Sequence, residues 1–349
     1  MSDKTTVVQG QYFRDLLAQP QALRDTLAGL QLTPKLQELA VGLDRERYQR
    51  IVLTGMGGSF HALHPLNLRL IEHGFTSVMA ETSELIHYMP QLLSEETLLI
   101  AVSQSGRSAE TLRLLEMPER RAPIIGITNA EGSPLATRAT AAVITRAGNE
   151  FSVSCKTWVT GVAAMAWIGE VLCEGKPDQI IAELKAAADA MQQYLNKWEG
   201  HVQAFIPELE GIRDLFTVGR GSSLAAALTA GLTIKESTRV HSEGMSSAAM
   251  RHGPFEILSP EVFVLVYEGD SKTADLNRAL VSDVRKIGAR AVLCGPHSDQ
   301  PAAKLPESGN AARPLLEMLP AQMISLALAA IKGIEAGKFQ RIAKVTATE

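Results

Sequence analysis

Ser103, Gln104, Ser105 and Ser108 surround Gly106, directly after the apolar run Leu98-Leu99-Ile100-Ala101-Val102. Beyond them, Ala109-Glu110-Thr111-Leu112 reads as the start of a helix. A strand, a hydroxyl-rich turn and a helix start together make the local form of an anion site. The first N–H groups of a helix have no internal partners and carry the positive end of its dipole. Small residues in the turn let a phosphate come close. The same residues admit a plainer reading, because serine is an ordinary helix cap and Ser105 or Ser108 can cap with no ligand present. The local pattern leaves both open.

The elements that must position this turn follow from hydrophobic patterning. Ile51-Val52-Leu53 reads as a short buried strand, followed by the glycine-rich turn Gly55-Met56-Gly57-Gly58-Ser59 and a helix over residues 60–72. Further strands are expected at 77–80, 98–102 and 124–127. Strands alternating with helices predict a parallel sheet covered on both faces, with ligands gathering at the carboxyl ends of its strands. Both the Gly58-Ser59 turn and the Ser103 turn fall at such ends. Residues 11–45 read as helical, with Leu16, Leu17, Leu23, Leu27 and Leu30 near helical spacing. Residues 177–208 read as a connecting helix with an exposed end at Lys197-Trp198-Glu199.

The pattern then recurs. Gly55, Gly57 and Ser59 align with Gly219, Gly221 and Ser223, and apolar runs at 262–266 and 291–294 stand where 98–102 and 124–127 stood. Where the first copy has Ser-Gln-Ser-Gly, the second has Tyr267-Glu268-Gly269-Asp270. A carboxylate pair there is expected to repel a phosphate, leaving one intact phosphate turn per chain.

Composition sets outer bounds. The 349 residues are 46% hydrophobic and 21% charged, which suits one or two globular domains. A formal charge of −4 gives no basic footprint for nucleic acid. Cys155, Cys173 and Cys294 are few and widely spaced, as expected in a reducing compartment, with neither a disulfide framework nor a zinc site. His61, His64, His73 and His87 show no metal-ligand spacing. The N-terminus has no apolar signal core, and the most apolar stretch is taken to be the short 158–168 run. A cytoplasmic protein with no membrane partner is the expectation.

Duplicated α/β units, the GxGxS turn after the first strand and Ser-Gln-Ser-Gly after the third resemble the SIS (sugar isomerase) family over roughly residues 45–349. The likeness is to the isomerase half of glucosamine-6-phosphate synthase, to amino-sugar-phosphate deaminases and to fructosamine-6-phosphate deglycases. The first 45 residues are too short to hold the synthase's amidotransferase half. A second block carries the likeness as well: Lys235-Glu236 in Ile234–Gly244, then His252-Gly253-Pro254-Phe255-Glu256, with Glu236 and His252 at the family's separation. The resemblance implies that Glu236 is the base, that His252 serves ring opening, and that Lys344 of the Ala343-Lys344 tail faces the sugar. It also implies that Ser154 lines the sugar. Thr229 and Thr233 replace charged residues of the synthase, and Phe60 after Gly58-Ser59 is closer to the deglycases.

The chemistry is coherent with these roles. Proton transfer between adjacent carbons of an open-chain sugar needs a positioned carboxylate, and ring opening needs a shuttle near neutral pH. Ser59, Ser103, Gln104, Ser105 and Ser108 would anchor the phosphate. Taken singly, each residue has an ordinary alternative: an exposed Lys-Glu pair, a histidine bonded in a turn, a lysine in a frayed terminus. The expected fold is α/β, with two tandem SIS-type units, each a parallel sheet flanked by helices in three flavodoxin-like layers. The expected division is an N-terminal helical segment (1–45), a first SIS domain (46–175), a connecting helix (176–208), a second SIS domain (209–333) and a tail closing the active site (334–349). The expected activity is removal of an amine from an amino-substituted hexose 6-phosphate, without metal or organic cofactor, in a homodimer or larger assembly. Simple aldose–ketose isomerisation and non-catalytic sensing of a sugar phosphate remain open alternatives.

Overall fold

The computed structural model describes residues 9–44, 46–118, 120–341 and 343–348. The chain divides into two compact units. One comprises Gln21–Asn149, Lys156–Lys185 and Ile342–Glu349; the other comprises Met1–Pro20, Glu150–Cys155 and Ala186–Arg341. They are called the first-sheet and second-sheet units below.

The first-sheet unit holds five parallel strands in the order β2-β1-β3-β4-β5: β1 (Arg50–Gly55), β2 (Ser77–Glu81), β3 (Thr97–Val102), β4 (Ile124–Thr128) and β5 (Ala141–Ile144). All six residues of β3 are buried, as the unbroken apolar run requires for a strand covered on both faces. Val52, Leu99, Ala101 and Ile124 pack on one side of the sheet with Leu85, Leu114 and Leu135 from the covering helices. The register sets Gly55 opposite Val102 and Val102 opposite Ile127, so the loops after β1, β3 and β4 leave the sheet side by side.

The expected 60–72 helix is two helices, Gly57–His61 and His64–Glu72. Pro65 lies in the first turn of the second, where its missing N–H costs nothing but a continuous helix could not pass.

The second-sheet unit repeats the order with four parallel strands, β7-β6-β8-β9: β6 (Asp214–Gly219), β7 (His241–Ser246), β8 (Val262–Tyr267) and β9 (Arg290–Cys294). The helix Arg313–Lys332 runs through its core. This helix, rather than the 158–168 run, is long and apolar enough to cross a membrane by length and composition. Its apolar window is 94% buried inside the protein, as befits a core helix.

Residues 177–208 form two helices, Pro177–Leu195 and Trp198–Leu209, instead of one. Trp198 is not an exposed end: its ring meets Phe13 edge-on at 4.4 Å. The stretch read as helical over 11–45 contains the helices Gln11–Leu17, Gln19–Gly29 and Pro34–Asp44, with residue 45 outside the described residues.

Candidate functional site

In the first-sheet unit the Ser103 turn is stitched to the loop after β4. Ser103 N–H donates to Ile127 O at 3.1 Å, and Gly106 N–H to Ser103 O at 3.1 Å. Gln104 O accepts from Asn129 N–H and from the Thr128 hydroxyl, each at 3.1 Å. Gly106 has φ of +62°, and a Cβ there would lie 2.1 Å from Ser133 Oγ, so only glycine fits. Among the described residues nothing accepts the N–H groups of Gln104 and Ser105.

Ser108 is the N-cap of the helix Ala109–Glu116, with Thr111 N–H 3.4 Å from its Oγ. The capping reading therefore holds at this position. Ser105 Oγ instead accepts from Arg107 N–H at 3.3 Å and caps no helix. Ser103 is nearly buried, whereas Gln104 and Ser105 are half-buried.

The β1 loop lies next to this turn because β1 pairs with β3. A Cβ on Gly55 would press Val102 O at 3.0 Å and Phe60 N at 3.2 Å, and Gly57 has φ of +50°. Gly219 and Gly221 meet the same two demands in the second-sheet unit, with Ser223 O at 3.0 Å and φ of +58°. Gly58 and Ser59 are half-buried. Thr346 O accepts from Ala109 N–H at 3.2 Å, which puts the segment bearing the half-buried Lys344 against the first turn of that helix. The first-sheet unit thus brings together Gly58, Ser59, Ser103, Gln104, Ser105, Ser108 and the Lys344 segment.

The second-sheet unit holds the other three expected residues. Glu236 lies half-buried in the last turn of the helix Ser223–Thr238. Thr229 and Thr233, on the same helix, are buried and add no charge beside it. This helix crosses β7 at backbone contact: a Cβ on Gly231 would lie 2.3 Å from Gly244 N, and one on Gly244 would lie 2.3 Å from Ala227 O.

From β7 the chain passes through the turn Ser247–Met250 to His252, which is exposed; its N–H donates to Ala249 O at 2.9 Å. Gly253 follows at φ of +128°, and the 2.8 Å Arg251–Asp283 ion pair holds the loop to the unit. Ser154 is half-buried between the buried Val153 and Cys155. Burial raises the pKa of the Tyr12 hydroxyl; Cys155, Glu236 and Glu150 raise it further, and the Ser325 hydrogen bond opposes the rise.

In the second copy's turn one of the two carboxylates, Glu268, is buried, while Asp270 is half-buried. Glu268 is 2% exposed and turned inward. It accepts from the Arg278 guanidinium, from His297 N–H at 3.1 Å and from His297 Nδ1 at 2.8 Å. Sequence reasoning also passed over Tyr12, Asp15, Glu150 and Glu317. Of these, only Tyr12 and Asp15, at i and i+3 with Gln19 at i+7, leave a helical-face signal.

Comparison with known proteins agrees with this architecture. The SIS domain pattern matches twice, at residues 46–169 and 208–332. The chain is 27% identical over 350 residues to a glutamine–fructose-6-phosphate aminotransferase (isomerizing) of Pyrococcus horikoshii, covering 96% of this chain and 57% of that protein. It is 28% identical over 351 residues to the enzyme of the same name from Methanothermobacter thermautotrophicus, again covering 96% and 57%. The chain therefore spans little more than half the length of these relatives. Among solved structures, the C-terminal domain of glucosamine-fructose-6-phosphate aminotransferase from Francisella tularensis superposes with a TM-score of 0.81 at 21% identity, covering 93% of this chain and 97% of that one. Tagatose-6-phosphate ketose/aldose isomerase from Escherichia coli gives 0.81 at 20%, covering 96% and 97%. Glucosamine-6-phosphate deaminase from Thermotoga maritima gives 0.78 at 16%, covering 97% and 100%.

Proposed function

The chain belongs to the SIS domain family, and on that premise we propose that it is a phosphosugar-processing enzyme acting on an amino-substituted hexose 6-phosphate. The observation that carries the reading is the stitched Ser103–Ser108 turn, with the N–H groups of Gln104 and Ser105 accepted by nothing among the described residues and with Ser59 on the adjoining loop. These are the donors a phosphate needs, held in place before it arrives.

In this reading the phosphate is held by Ser59, Ser103, Gln104, Ser105 and the Ser108 end of the helix. His252 hands a proton to the ring oxygen as the bond between that oxygen and the anomeric carbon opens. Glu236 takes the proton from one of C1 and C2 and returns it to the other, through an enolamine or enediol. Water then displaces the amine at the carbon that bears it. Lys344 and Ser154 contact the sugar. The steps move protons and add one water, so the proposal invokes no cofactor. A cytoplasmic, homodimeric enzyme completes the reading.

The test is to offer purified protein glucosamine 6-phosphate and fructosamine 6-phosphates, with Glu236→Gln as control. Release of ammonia or an amino acid, lost in Glu236→Gln, is the expected result. Turnover that survives this substitution overturns the mechanism. Ketose–aldose interconversion without amine release would assign the simple isomerase. Tight binding with no turnover would assign a sensor.

A further inference from the structure

The N-terminal helix Gln11–Leu17 and the start of the next, Gln19–Gly29, carry polar groups into the interior of the second-sheet unit. Tyr12, Asp15 and Gln19 are 1%, 3% and 0% exposed. Tyr12 Oη lies 3.3 Å from Ser325 Oγ. The side-chain amides of Gln19 and Gln322 bond reciprocally, at 2.9 Å each way. Asp15 is directed elsewhere: its Oδ2 accepts Phe151 N–H at 2.8 Å. A carboxyl group buried this deeply is costly unless it is hydrogen-bonded, and the Phe151 N–H helps to satisfy it.

Phe151 opens the non-helical segment Glu150–Cys155. Its far end is tied as well, because Glu150 Oε1 accepts Cys155 N–H at 2.9 Å. Between these two bonded amides, Val153 and Cys155 point inward at 1% exposure and Ser154 is left half-open. The same helix touches the surroundings of Glu236. A Cβ on Gly337 would lie 2.7 Å from the Cβ and Cγ of Tyr12, and Gly337 N–H donates to Ser237 O at 3.0 Å, next in sequence to Glu236.

We infer that Asp15 is a positioning residue that holds the Ser154 segment in shape, with Glu150 as its second brace. The role rests on the function proposed above, in which Ser154 contacts the sugar. It makes the N-terminal helix part of the substrate-recognising scaffold instead of a peripheral attachment.

The experiment compares wild type with Asp15→Ala, Asp15→Asn and Glu150→Ala by steady-state kinetics, inhibition by inorganic phosphate and amide hydrogen exchange. Losing a hydrogen bond to a charged acceptor is expected to raise KM for the hexose 6-phosphate by about tenfold in Asp15→Ala, with a smaller change in kcat. Inhibition by phosphate should be unchanged, because the Ser103 turn is untouched. Asp15→Asn keeps an acceptor oxygen and should recover most of the loss. Exchange across residues 151–155 should quicken in Asp15→Ala and Glu150→Ala while that of the Ser223–Thr238 helix stays slow. Should Asp15→Ala fail to fold, the Glu150→Ala measurement decides. Unchanged exchange over 151–155, or a KM that rises only in step with lost phosphate affinity, overturns the inference. Wild-type protein that neither binds nor turns over a hexose 6-phosphate rejects the proposed function instead, while the exchange result still reads the brace on its own.

Discussion

Ser223 Oγ donates a 2.8 Å hydrogen bond to Glu317 Oε1, joining the first residue of the helix that bears Glu236 to the core helix Arg313–Lys332. Glu317 is 3% exposed, and its Oε2 has no partner among the described residues. Burial raises its pKa from 4.5 to about 8. Asp270 and Glu268 add to the rise, while the Ser223 bond and Arg313 oppose it. The group is therefore protonated in the folded protein at neutral pH.

That gives a stability prediction with a definite sign. The unfolded chain loses this proton near pH 4.5, but the folded chain keeps it until about pH 8. Stability is fully present below the lower value and is lost as pH rises through the upper one, by an amount on the order of a few kcal/mol. Thermal unfolding between pH 5 and 8.5 should show a falling midpoint in wild type. Glu317→Gln, which keeps an acceptor for Ser223 and cannot ionise, should flatten that fall and be the more stable protein at pH 8. Parallel curves for the two proteins would remove Glu317 as the cause.

The crossing of Gly231 and Gly244 leads to a second prediction. Both hypothetical Cβ atoms fall 2.3 Å from backbone atoms, which cannot rotate away as a side-chain tip can. Gly231→Ala or Gly244→Ala must therefore push the Ser223–Thr238 helix off β7, at about 1–3 kcal/mol by analogy with overpacked cores. Because the helix bears Glu236 and β7 leads to His252, turnover should fall further than affinity for inorganic phosphate. Calorimetry and kinetics on the two variants check this; equal loss of both quantities would show general unfolding.

The two readings of the Ser103 turn are separable by residue. Ser108 caps a helix, so Ser108→Ala should cost about 1 kcal/mol of stability in addition to weakened phosphate binding. Ser105 caps none, so Ser105→Ala should weaken phosphate binding with little change in melting temperature. Calorimetric titration with inorganic phosphate beside thermal melts distinguishes them. A Ser105→Ala protein that binds phosphate normally would leave the turn with capping alone.

What could be read in advance follows from what leaves a local pattern. Central strands are legible because a run such as Leu98–Val102 is apolar throughout, and the glycine turns because Gly55 and Gly57 recur as Gly219 and Gly221, whereas the edge strand β7, His241–Ser246, is largely polar and carries no such signal. The Arg313–Lys332 helix was passed over because Pro314, Pro320, Glu317 and Gln322 interrupt its apolar run, although tertiary contacts bury all four. Trp198 read as exposed beside two charged neighbours, since its partner Phe13 is far away in sequence. Asp15 and Glu150 were invisible for a related reason: each bonds a backbone N–H, and a backbone N–H carries no sequence signal. Glu268 shows the converse. Its sequence neighbourhood suggests repulsion of an anion, but Arg278, ten positions away, pairs with it and His297, twenty-nine away, hydrogen-bonds to it.

Gly106 offers the sharpest test of the anchor, because the structure supplies its control. Gly106 and Gly148 have nearly the same backbone, φ of +62° and +67°, and both belong to the first-sheet unit. A Cβ at Gly148 meets nothing within 4 Å, whereas one at Gly106 would sit 2.1 Å from Ser133 Oγ and 2.9 Å from Thr128 Oγ1. Gly148→Ala therefore isolates the strain of a left-handed alanine, about 1 kcal/mol. Gly106→Ala adds a collision with the N-cap of the neighbouring helix Pro134–Arg138 and with the hydroxyl that bonds Gln104 O. The Ser103 turn must then move off the β4 loop, and its N–H groups lose their common direction. Phosphate affinity should fall by about tenfold or more in Gly106→Ala, equivalent to about 1.4 kcal/mol, and stay at the wild-type value in Gly148→Ala. Equal affinities in the two variants would mean that the shape of the Ser103–Ser108 turn is not what holds the phosphate.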